Sequence, residues 1–167
     1  MSHRRPYRSL HKANNGKSYI LIMNAARWIV RICFLVVFAW NVQCAVSFII
    51  NPAAFIGAFQ LSGMEGEVAL RGLGIAFLMW NATYPLFIWK PDGYPALGVI
   101  VLVQQLIGAI GETVIFLTLP TDAYALHTSI ARFMTFDIAG LVIMGASFFM
   151  FIAAKRKVRR MQVVEDA

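Results

Sequence analysis

Apolar residues gather along this chain in four long runs, at about 25–50, 64–89, 97–119 and 129–154, with short turn-forming or charged stretches between them. A helix rises 1.5 Å per residue, so about twenty apolar residues cross the hydrocarbon layer of a bilayer, and each run is long enough. The pattern predicts an all-α integral membrane four-helix bundle. Residues 1–18 are a basic tail, 19–154 a four-span transmembrane domain, and 155–167 a tail that is basic and then acidic. The breaks have chemical causes. Asn51-Pro52 stops the first helix, Lys90-Pro91-Asp92-Gly93 is a tight turn by composition, and Pro120 ends the third span.

The polar positions inside these runs carry the next level of information. The third span, GVIVLVQQLIGAIGETVIFLTL, holds Gln104, Gln105, Gly108, Gly111 and Glu112. Positions 104, 108, 111, 112 and 115 share a helical face, so this helix is expected to turn small and polar groups to its neighbours. In the second span Glu67, Arg71, Gly74, Asn81 and Pro85 are spaced four, three, seven and four, again one face, with Glu67 and Arg71 as an i,i+4 pair. The first span opens with Arg27, Trp28 and Arg31, suited to the interface, and buries Asn41 and Gln43 as interhelical hydrogen-bonding groups. The fourth carries Arg132 and Asp137, with Gly140, Gly145 and Ser147 for close helix approach. Between the first two spans PAAFIGAFQLSG is too short to cross. It reads as an interfacial helix or re-entrant loop with Phe55, Ile56 and Phe59 on one face and Ser62-Gly63 as the next helix's cap. Asp122 is placed to cap the fourth helix.

Four spans put both termini on one side. The basic ends and Lys90 in the second loop, against Glu65 and Asp122 by the other loops, assign that side to the cytoplasm of a bacterial inner membrane. By depth, Arg71, Glu112, Arg132 and Asp137 then converge in the outer half of the bilayer, with Asn41 nearby. A carboxylate at Glu112 costs a few kcal/mol or more at such depth, so it needs a partner or a function. Two readings stand. One is a neutral ionic knot in which Glu112 pairs with Arg71 or Arg132. The other is an outward-facing polar cavity for a small ligand or lipid, lined by Arg71, Glu112, Arg132, Asp137, Glu67, Asn41, Asn81, Gln104 and Gln105.

Composition narrows the classes. The 167 residues are 59% hydrophobic and 14% charged, far from the quarter charged of a soluble domain. The net charge of +7 does not indicate a nucleic-acid partner, because ten of the fifteen Lys and Arg residues flank apolar spans. The partners are the bilayer and other membrane subunits. Cys33 and Cys44 are eleven residues apart on one helix, about 16 Å, too far for a disulfide. His3 and His11 are tail residues and His127 is interfacial, so no metal site and no bis-histidine haem is expected. The apolar run after the tail is too long for a signal peptide. No phosphate-binding loop, dinucleotide fingerprint or CxxC motif is present, and no catalytic residue is assigned.

The stretches ALRGLGIAFLMW and LIGAIGE, within a short-looped four-span layout over about residues 25–154, resemble small bacterial membrane proteins of the DoxX-like kind. The resemblance implies the architecture, and a link to quinone or thiol redox systems. With no close cysteine pair here, it transfers no functional residue. The expected role is a small accessory or ligand- or lipid-binding membrane protein. The alternatives are a proton-coupled transporter using Glu112 and a quinone-linked redox component.

Overall fold

A computed structural model describes residues 5–166 and the side chains of residues 19–163. Helix α1 spans Arg5–Ile50 and is followed by two 3-10 turns, Pro52–Ala54 and Ile56–Phe59. Then come α2 (Gly63–Asn81), α3 (Tyr84–Trp89), α4 (Pro95–Thr118) and α5 (Tyr124–Asp166). Four segments, Tyr19–Ile50, Gly63–Trp89, Pro95–Thr118 and Tyr124–Val163, are long and apolar enough to cross a membrane. The expected all-α membrane bundle is thus the fold. The expectations for His3 and the His11 side chain lie outside the described residues.

Contacts at the ends give the bundle its up-and-down order. At one end Arg27 of α1 pairs with Asp92 of the α3–α4 turn at 2.5 Å, and Lys155 of α5 donates to the Asp92 carbonyl at 3.0 Å. Arg31 reaches the Trp89 carbonyl at 2.7 Å. At the other end the Ser129 hydroxyl, near the start of α5, donates to the Ala58 carbonyl at 2.7 Å. The first end is called the terminal end here, the second the loop end. α1 packs on α2 and α5, and α4 on α5 and α3.

The terminal half is a filled apolar core. Val30, Phe34, Tyr84, Phe87, Met144 and Phe151 are buried there, with the Phe34 and Phe87 rings 4.6 Å apart between centroids. Residues facing outward are as apolar as those facing inward, as lipid requires: Trp28, Ile107, Leu117, Val142 and Phe149 are all exposed. α1 and α2 approach closely at Gly74, where an added Cβ would lie 2.7 Å from the Ala45 carbonyl oxygen and 2.9 Å from the Ile49 side chain.

Several local expectations are corrected. In the second crossing Pro85, expected to kink a single helix, divides it into two, broken at Ala82-Thr83, because it has no N–H for the Asn81 carbonyl and sits in the first turn of α3. Ser62 precedes α2 but its side chain makes no capping bond; the chain turns into the helix on Gly63, at φ +65°. The apolar piece after Asn51 forms 3-10 turns, Phe55 and Phe59 both packing on Phe48. α1 begins at Arg5 and α5 runs on to Asp166, so most of the two tails is helical extension of the spans. Gln43 is exposed, its carbonyl accepting from Ser47, and it makes no interhelical bond.

Candidate functional site

The loop half of the bundle is hollow. A cavity of about 990 Å³ lies between α1, the 3-10 turns, α2, α4 and α5. Its polar wall includes Asn41, Asn81, Gln105, Glu112, Arg132 and Asp137, with the hydroxyls of Thr128, Ser129 and Thr135. The rest is largely aromatic. Phe48 is buried with Phe55, Phe59, Phe77 and Phe133 around it at 5.2–6.3 Å between centroids, while Trp40 stacks on Phe136 at 5.7 Å. Trp80 and Cys44 complete the lining on α2 and α1.

The floor is a hydrogen-bonded chain. The Tyr84 hydroxyl donates to Gln105 Oε1 at 3.3 Å, and Gln105 Nε2 donates to Asp137 Oδ1 at 2.8 Å and to the Asp137 carbonyl at 3.3 Å. This ties α3, α4 and α5 together between the core and the cavity. Two missing side chains make room for it. An added Cβ at Gly108 would collide with Asp137 Oδ2, and one at Gly140 would lie 3.1 Å from Gln105 Nε2.

Two polar atoms of the cavity-lining residues are buried without a partner, Asn81 Oδ1 and Glu112 Oε2. Asn81 Nδ2 donates to the Phe77 carbonyl at 2.7 Å. Only the amide nitrogen can donate to a carbonyl, so that bond identifies Oδ1 as the free atom. Asn81 itself is 4% exposed.

The structure therefore brings together Glu112, Arg132, Asp137, Asn41, Asn81 and Gln105, and leaves out Arg71, Glu67 and Gln104. Arg71 instead pairs with Glu67 at 3.6 Å on the half-exposed flank of α2. The buried stripe of α2 is Gly66, Leu70, Gly74 and Asn81. Glu67 and Arg71 each follow a member of that stripe by one position, a rotation of about 100°. The third span is corrected in part, since Gly108 and Glu112 of the expected face do turn to the cavity. Its buried stripe is Gly98, Val101, Gln105 and Ala109, while Gly111 meets open space and Ile115 is exposed. Gln104 receives only the Thr83 hydroxyl, at 3.4 Å. The ionic knot is not closed: among the described residues Glu112 makes no ion pair, and Arg132 is exposed on the rim.

The aromatic walls escaped the sequence reading, yet they leave a signal. Trp40-Asn41, Trp80-Asn81 and Phe136-Asp137 each put an aromatic residue directly before a polar one, on three different spans, and all six residues line the cavity. No group of three or more metal-ligating side chains occurs among the described residues. His127 Nε2 donates to the Pro120 carbonyl, 3.1 Å away, with its ring edge-on to Phe116. Comparison with protein-family models, curated proteins and solved structures finds no match.

Proposed function

We propose that this is a small accessory or binding protein of a bacterial inner membrane, both termini cytoplasmic, which holds a small amphipathic ligand or a lipid molecule within its outer half. The observation that carries this reading is the cavity of about 990 Å³ with apolar aromatic walls and a localised polar side, the usual make-up of a small-molecule site. Kinship with DoxX-like proteins belongs to the same proposal and rests on ALRGLGIAFLMW and LIGAIGE. The transporter alternative has less support, because the terminal half is packed by Phe34, Tyr84, Phe87 and Phe151 and offers no polar path beyond Gln105. An oxidised quinone presents acceptors, and the two buried unpartnered atoms of the lining are oxygens, so the redox alternative would have to draw its donors from Arg132, Asn41 and Thr135.

Native mass spectrometry of the protein released from its own membranes tests the reading. The wild-type protein should carry a bound small molecule or lipid, and Ala131→Trp, which puts an indole into the cavity, should weaken or lose it. Equal bound mass in both would sink the proposal. Orientation is checked by thiol labelling of Ser2→Cys and Thr121→Cys in a background without Cys33 and Cys44. Position 121 should label from outside intact cells and position 2 should not.

A further inference from the structure

Given the ligand-binding reading above, we infer that the cavity selects a lipophilic organic cation, an amine or amino-bearing cation on an apolar body. Three features point the same way. First, two buried atoms of lining residues have no partner, Asn81 Oδ1, an acceptor, and Glu112 Oε2, an acceptor when the carboxyl is ionised. A ligand that brings hydrogen-bond donors satisfies Asn81 Oδ1, and a cationic one satisfies the ionised form of Glu112 as well. An unpaired buried acceptor is costly, so its satisfaction is a strong selection rule. Second, the charged side chains of the lining are two carboxylates, Glu112 and Asp137, against one arginine, Arg132, which is exposed. The Asp137 carboxylate takes one amide bond from Gln105 on Oδ1, and its other oxygen lies over Gly108. Third, aromatic rings surround the space: Trp40, Trp80, Phe77, Phe133 and Phe136 all line it. Aromatic faces attract desolvated cations through their quadrupole, with Trp the strongest. Acceptor, carboxylate and π-face together describe a site for an organic ammonium or amidinium-type group, and the volume accommodates an aromatic or alkyl body of drug size.

Arg132 gives the inference its sharpest consequence. It is a like charge at the rim of a cation site, so removing it should help a cationic ligand and harm an anionic one.

The test uses the full-length protein in phosphatidylcholine nanodiscs, with three fluorescent probes of similar size titrated against empty nanodiscs. Ethidium is a cation with amino donors, Nile red is neutral without donors, and 8-anilinonaphthalene-1-sulfonate is an anion. Ethidium should saturate with a defined stoichiometry. Glu112→Gln should weaken it by about tenfold, the loss of one charge-assisted contact, while leaving Nile red unchanged. Arg132→Gln should tighten ethidium by roughly two- to fivefold. That arginine is exposed, so this variant keeps the test alive if Glu112→Gln fails to fold. Ethidium that is weakened by Arg132→Gln, or that binds a folded Glu112→Gln as tightly as wild type, overturns the cation assignment. Saturable binding of the anion but not of ethidium overturns it too, while leaving the ligand-binding reading intact. If Ala131→Trp also carries as much native ligand as wild type, the underlying reading falls with it.

Discussion

At the scale of single residues, this molecule is governed by where side chains are missing. Gly74 and Gly72 lie two positions apart on α2 and should behave oppositely. Gly74→Ala drives a Cβ into the Ala45 carbonyl, a backbone atom that moves only if α1 moves. A loss of about 1–3 kcal/mol is expected, read as a lower unfolding midpoint in detergent. Gly72 has open space around it, so Gly72→Ala should be neutral or stabilising by up to about 1 kcal/mol. Gly108→Leu pushes the Asp137 carboxylate off Gln105 and should lower the midpoint, whereas Val114→Leu, on an exposed position, should not. Gln105→Leu should cost about 1–3 kcal/mol, because Asp137 Oδ1 and the Tyr84 hydroxyl lose their partner together.

Among the elements, the 3-10 turns act as a lid held by one side-chain bond. Ser129 is buried and its hydroxyl satisfies the Ala58 carbonyl. Ser129→Ala should therefore speed amide hydrogen exchange in residues 56–61 while leaving the terminal half protected; equal exchange would show that the Phe48 cluster holds the turns alone. The spans themselves were legible, since twenty or more apolar residues between Pro-, Gly- and charge-rich breaks admit few structures in a bilayer. The facing of each span was harder to read. Lipid is as apolar as a helix interface, so Leu, Ile and Val mark neither side, and a stripe drawn through Arg71 or Gln104 differs from the true one by a single position. The sequence placed Glu112, Arg132 and Asp137 at one level correctly. It could not show that Gln105, and not an arginine, takes up Asp137, because that depends on helix rotation and on the gap left by Gly108.

Across the whole molecule the two halves have different jobs and should fail differently. Phe34 is fully buried in the packed half, and Phe34→Ala should cost about 3–5 kcal/mol and lower the global unfolding midpoint. Phe133 borders a space that already exists, so Phe133→Ala removes contacts without opening a new void and should cost markedly less. Thermal unfolding of the two variants in the same detergent decides this. The ion pair at the terminal end matters little by comparison. Arg27 and Asp92 are each about a third exposed, and Asp92→Asn should cost no more than about 1 kcal/mol, less at high salt.

The break at Ala82-Thr83 governs how compliant the cavity wall is. A continuous helix resists flexing because each bend stretches main-chain bonds. Here Pro85 has already removed the bond that the Asn81 carbonyl would accept. Below the break, α3 is clamped by Tyr84 and Phe87 in the packed core. Above it, α2 carries Phe77, Trp80 and Asn81 on the cavity wall. Elastic softness in the second crossing is thus concentrated at one joint, at the level where the solid half of the molecule gives way to the hollow one.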